Sequence, residues 1–205
     1  MSYQYDIFIS YRRHKETRGW VRKHFVPLLE LHVEHALGRK PLIYVDVNEI
    51  EIGASWPVSL GVALGGSRVL IALWSANYFL SRWCTLEFSH MLAREHAANL
   101  RTSDKPHGVI VPAFIHDGER FPPDLGHIKP FEIQRCFNVR MPRYCFRAEQ
   151  LDAALTAQAE TIAKCIDQAP AWRKAWPKQA VADFFNRFYQ QAEAVQRTVP
   201  RFTGP

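Results

Sequence analysis

Short apolar runs alternating with segments of helical spacing organise the chain. Tyr5–Tyr11 (YDIFISY), Pro41–Asp46 (PLIYVD), Arg68–Trp74 (RVLIALW) and Gly108–Ile115 (GVIVPAFI) are rich in β-branched and aromatic residues, and a short fifth run covers Phe131–Gln134. Runs with apolar centres and no polar alternation predict strands covered on both faces. Between them, apolar residues recur at helical spacing over Gly19–Leu37, Ser55–Leu64, Ser81–Ala98 and Arg147–Gln168, with Pro27 as a kink and Gly38 as a stop in the first. Gly65-Gly66 precedes a strand instead of opening a helix, so it reads as a helix cap and turn rather than a phosphate cradle. Val47–Gly53 and His116–Pro130, the latter with Pro122-Pro123, read as loops.

Strands buried on both faces and interleaved with helices imply a doubly wound α/β fold, a parallel five-stranded sheet of the flavodoxin-like group. The texture changes after Pro170, where Trp172, Trp176 and Pro177 lead into a further helix over Gln179–Gln196 whose apolar stripe is Val181, Phe184, Phe185, Phe188 and Ala192. The expected organisation is one domain over 1–169 and a C-terminal helical extension over 170–205. Ligands of doubly wound folds bind outside the carboxyl ends of the strands. Functional residues are therefore expected just after Tyr11, Asp46, Trp74 and Ile115.

Composition adds limits rather than a function. With 205 residues, 47% hydrophobic and 22% charged, the chain has the make-up of a soluble globular protein. The net charge of +6 favours an anionic partner, but its Lys and Arg residues are scattered and form no nucleic-acid-binding arm. Cys84, Cys136, Cys145 and Cys165 form no C-x-x-C pair, which fits a reducing compartment. No segment approaches the roughly 20 apolar residues of a membrane span, and the amino-terminal stretch lacks a leader pattern, so a soluble cytoplasmic protein is expected. His32 and His35 share a helix without H-E-x-x-H or comparable spacing, and no metal is expected.

The most informative stretch runs from Leu73 to Glu87, leaving the third strand at the carboxyl edge and entering the next helix. In that helix Cys84, Phe88, Met91 and Leu92 form a stripe toward the core, and Trp83, Glu87, His90 and Arg94 form the adjacent face. Taken alone, a glutamate near a helix start is a solvated residue favoured by the helix dipole.

Three blocks in order change that reading: Tyr5-Asp-Ile-Phe-Ile-Ser-Tyr-Arg12; Val45-Asp46 with Ile52-Gly53; and Ser75-Ala-Asn-Tyr78 leading to Ser81-Arg-Trp-Cys-Thr-Leu-Glu87. Over roughly Tyr5 to Gln168 the chain resembles Toll/interleukin-1 receptor (TIR) domains, especially the bacterial kind. Its Trp83 and Glu87 look like the ends of the W-x-x-x-E signature of NAD-cleaving members. The resemblance implies that NAD+ is the substrate, with no separate cofactor, and that its nicotinamide–ribose bond is cleaved with Glu87 as the catalytic carboxylate. It implies a substrate site lined by Phe8, Ser10, Tyr11 and Arg12, where nicotinamide, ribose and phosphates would be met.

Arg12 and Arg13 suit phosphate recognition, or else belong to a solvated loop. Trp83 either walls the pocket by stacking or is simply packed. Asp46, also in the implied site, stands at the root of the BB loop and is expected to order it, and Trp56-Pro57 belongs either to that loop or to a helix N-terminus. The resemblance further implies self-association through TIR domains, and a messenger role toward a separate effector in bacterial antiphage immunity. Its competitor is a non-catalytic TIR scaffold. A phosphoacceptor receiver is disfavoured because Ser10-Tyr11-Arg12 stands where paired acidic residues would hold Mg2+.

Overall fold

The computed structural model describes residues 2–45, 56–116, 125–126, 128–184 and 186. Five strands, β1 (Tyr5–Tyr11), β2 (Ile43–Val45), β3 (Ser67–Trp74), β4 (Ile110–Phe114) and β5 (Phe131–Glu132), form one sheet in the order β2-β1-β3-β4-β5. Every pairing is parallel. The expected doubly wound α/β sheet is thus the observed one, and its order reverses between β1 and β3. β1 and β3 are almost wholly buried, as continuous apolar strands must be when helices cover both faces.

Seven α-helices accompany the sheet among the described residues: α1 (Lys15–Trp20), α2 (Val26–Leu37), α3 (Trp56–Gly65), α4 (Ala76–Phe79), α5 (Arg82–Ala97), α6 (Phe146–Asp167) and α7 (175–184). The first helical run starts at Lys15, a turn before the hydrophobic pattern begins, because its opening turn is polar. Pro27 does not break that run. A π-turn over Val21–Phe25 precedes it, with the Val26 N–H bonded to Val21 O, and this wider turn makes room for the proline ring. Gly38 ends α2 in the left-handed conformation (φ 68°), the geometry glycine adopts without a Cβ penalty. His32 faces α6, where its ring meets Asp152 at 2.8 Å; it joins two helices.

The helix of the extension begins at 175 rather than Gln179, with Pro177 in its first turn, where a missing N–H costs nothing. It lies directly on α3. A Cβ at Gly61 would stand 2.6 Å from Val181 N, and one at Gly65 would stand 2.3 Å from Pro177 Cα, so the two glycines create the groove that seats α7. Arg94 of α5 closes this layer from beneath. Its guanidinium donates to Ser67 O (2.8 Å) and Leu64 O (2.9 Å) and lies 4.4 Å from the Trp176 ring centroid. Burial draws its pKa down to about 10, so it still carries charge at neutral pH.

At the amino edge of the sheet the buried Asp6 accepts both arms of Arg39 at 2.7 Å and the Leu42 N–H at 2.9 Å, with Arg68 at 3.3 Å. Burial works to raise its pKa, but these hydrogen bonds and charges outweigh it and hold the carboxyl below its ordinary value. No helix among the described residues is long and apolar enough to cross a membrane.

Two expectations follow. Gly65→Ala should force α7 off its groove and cost about 1–3 kcal/mol; hydrogen exchange at residues 175–184 should accelerate, and unchanged protection would remove the groove's role. A carboxylate with a depressed folded pKa stabilises above its unfolded value near 3.9 and loses that contribution as pH falls through the folded one. The stability gap between the parent and Asp6→Asn in urea titrations should therefore be large at pH 7 and shrink below about pH 4; a gap independent of pH would contradict the assignment.

Candidate active site

The last residues of β1 and the first turns of α5 meet at the carboxyl edge, beside the point where the strand order reverses. Two N-caps build this corner. Ser75 Oγ accepts from Tyr78 N at 3.2 Å and starts the one-turn α4, and Ser81 Oγ accepts from Cys84 N at 3.4 Å and starts α5. Between them they turn Tyr78 and Glu87 inward, and both side chains are buried.

Glu87 is only 3% exposed. The Ser10 hydroxyl donates to its Oε2 at 2.5 Å, and the Tyr78 hydroxyl lies 2.8 Å from Ser10 Oγ and 3.4 Å from the Cys84 carbonyl oxygen. Arg13 Nη2 stands 3.8 Å from Glu87 Oε1, near enough to share charge and beyond hydrogen-bond length. The neighbourhood responds electrically. Burial first, then the neighbouring Cys84 and the Glu87 charge, drive the Tyr78 phenol well above its usual pKa. Burial and the same Glu87 charge push the Cys84 thiol up to about 12, so it stays protonated and is no nucleophile.

The residues expected from the sequence separate into groups. Ser10 and Glu87 come together in one hydrogen bond across 77 positions of sequence. Arg12 is exposed and lines a small cavity of about 180 Å³ with His14, Thr17, Ser75, Asn77 and His116, at the ends of β1, β3 and β4. Phe8 has no exposed surface and stacks on Tyr44 with centroids 5.1 Å apart; it is a core residue here, because β1 is covered on both faces. Tyr11 is also buried.

Asp46 and most of the BB loop lie outside the described residues. Pro57 opens α3, which settles it as a helix N-terminus residue. Trp83 is half-buried and its ring lies nearly parallel to Phe184 of α7, at 5.6 Å and 12°. Phe184 also stacks on His90 at 6.1 Å, and Asp183 lies 3.0 Å from His90 Nε2, so α7 holds α5 on both sides of Glu87.

Sequence reasoning gave Tyr78 no role. The S-x-x-Y spacing after β3 was the available signal, since a serine N-cap fixes where the residue three positions on must point. Among the described residues, no group of three His, Cys, Asp or Glu side chains is arranged to hold a metal ion.

Residues 7–139 match the model of the TIR domain family. Among solved structures, the chain is similar to the TIR domain of the Toll-related receptor TRR-2 from Hydra magnipapillata, at 21% identity and a TM-score of 0.43, over 63% of this chain and 84% of that one. It is also similar to the TIR domains of the activated Roq1 resistosome that directly recognises the pathogen effector XopQ, at 21% identity and a TM-score of 0.38, over 80% of this chain and 96% of that one. With more than half of its length matched by the family model, the chain belongs to the TIR domain family.

Proposed function

We propose that this protein is an NAD+ nucleosidase acting in the cytoplasm, with Glu87 as the catalytic carboxylate. One observation carries the reading: at the carboxyl edge of the sheet a glutamate in a water-poor site is oriented by the Ser10 hydroxyl, with Arg13 beside its other oxygen. A carboxylate fixed in a water-poor site is suited to stabilising positive charge that develops in a transition state.

The chemistry needs little else. When the bond from ribose C1′ to the pyridinium nitrogen breaks, its electron pair returns to nicotinamide, which departs neutral, so no general acid is required. This differs from ordinary glycoside hydrolysis, where two carboxyl groups share the work. Glu87 stabilises the ribosyl cation. Water then bonds to C1′ and releases a proton through Glu87 to solvent, giving ADP-ribose. Where the site excludes water, the adenine of the same molecule attacks C1′ and a cyclic isomer forms. Arg12 and Arg13 supply the charge for the two phosphates.

The proposal extends to self-association of TIR domains and to a product read by a separate effector in bacterial antiphage defence. The competing reading is a scaffold in which Glu87 is a structural partner of Ser10, and the 3% exposure of Glu87 favours it.

The test is incubation of concentrated protein with NAD+, resolving products by chromatography and mass. Glu87→Gln keeps an acceptor for Ser10 while removing the charge, and should lower nicotinamide release by about 100-fold or more. Equal release by the two proteins removes Glu87 from catalysis, and an inert parent even with a crowding agent favours the scaffold.

A further inference from the structure

Tyr78 has no place in the reaction just described, yet its hydroxyl stands one hydrogen bond behind Ser10 in a site from which its side chain is wholly closed to solvent. The proton inventory of the three groups fixes a direction. An ionised carboxylate only accepts, so the Ser10 hydrogen goes to Glu87 Oε2. Ser10 Oγ is then left to accept, and the tyrosine is the donor that meets it at 2.8 Å. The alternative acceptor for that donor, the Cys84 carbonyl oxygen, lies farther away at 3.4 Å.

We propose that Tyr78 is a positioning residue for Glu87: by donating to Ser10 it holds the serine hydroxyl in the one rotamer and proton orientation that serve the carboxylate. This rests on the reading of Glu87 as the catalytic carboxylate. A serine hydroxyl has three staggered orientations and a freely turning hydrogen, and Ser10 alone would not select among them. Donation into Ser10 also polarises its O–H toward Glu87, since hydrogen bonds in a chain strengthen one another.

The chain runs in reverse as well. When Glu87 holds a proton, it donates to Ser10, Ser10 donates to Tyr78, and Tyr78 turns its hydrogen to the Cys84 carbonyl. Each buried group keeps a partner in both states. The phenol is suited to this task because it stays protonated across the working range: burial and the neighbouring charges keep it from ionising.

A merely structural tyrosine would not change how Glu87 titrates, and that difference makes the test. The groups with charge or protons around Glu87 include Ser10 on β1, Arg13 after it, Tyr78 on α4 and Cys84 on its own helix. Tyr78→Phe leaves all but one in place and removes a single oxygen. A chain that ends on a charged carboxylate is stronger than the same chain with every group neutral, so losing the Tyr78 hydroxyl costs the ionised state more and raises the carboxyl pKa.

With the Glu side chains labelled with 13C, and the Glu87 signal identified by its loss in Glu87→Gln, the carboxyl midpoint in Tyr78→Phe should lie about one pH unit above that of the parent. The acid limb of kcat for nicotinamide release should move the same way, with kcat about 10-fold lower and KM within about two-fold. Site-specific 3-fluorotyrosine at 78, a stronger donor, should restore kcat and bring the midpoint below that of the parent.

An unchanged midpoint in Tyr78→Phe overturns the proposal, as does a variant that melts lower but titrates and turns over like the parent. Should Tyr78→Phe not fold, the 3-fluorotyrosine protein decides alone, since it keeps the hydroxyl, and an unshifted midpoint there has the same force. Because the NMR titration needs no turnover, a parent inert toward NAD+ would refute the enzyme reading while leaving the positioning of Glu87 by Tyr78 measurable.

Discussion

The register of β1 on β3 is the constraint on which the candidate site depends. Side chains alternate across a strand, so Asp6, Phe8 and Ser10 share one face of β1, and a slip of one residue would bring Ile9 or Tyr11 to Glu87 in place of a hydroxyl. A buried carboxylate without its donor is costly, of the order of several kcal/mol. The hydrophobic pattern cannot prevent that slip, because β1 is apolar on both faces. What fixes the strand is the charge at its other end. Asp6, gripped by Arg39, Arg68 and the Leu42 N–H, sets where β1 begins, and Ser10 follows four residues later at the carboxyl edge.

The two edges of the sheet therefore handle buried charge differently. At the amino edge, Asp6 has its arginines, Glu95 takes Arg101 at 2.6 Å together with the Ile110 N–H, and Arg94 is satisfied by backbone carbonyls. These groups are partnered to hold strands and helices in place. At the carboxyl edge the Ser10 hydroxyl orients Glu87, and Arg13 stands 3.8 Å from its other oxygen. A hydroxyl directs a carboxylate without itself carrying a countercharge, which suits the proposed role of Glu87.

The sheet was legible because its strands are long apolar runs that only burial on both faces explains, and the alternation with helices then implied parallel pairing. Ser10 and Glu87 were legible as members of spaced motifs. Their contact was not, because two residues 77 positions apart meet only through the register of a sheet. Phe8 sits in a motif strand, and nothing local told its buried face from a ligand-facing one. Tyr78 stood inside a recognised block, yet its task depends on how two short helices are capped. The polar first turn of α1 carried no periodic signal, and the start of α7 at 175 was hidden by Trp172 ahead of it and by Trp176-Pro177 in its first turn.

The groove beneath α7 has a bearing on how such proteins diversify. Positions 61 and 65 are useful as glycine only while the backbone at 177 and 181 rests on them, and that backbone could not approach any larger residue. Two segments more than a hundred residues apart are thus bound into a single unit of inheritance. An exchange that brought a different tail to this domain, or this tail to another domain, would have to carry the glycine pair with it.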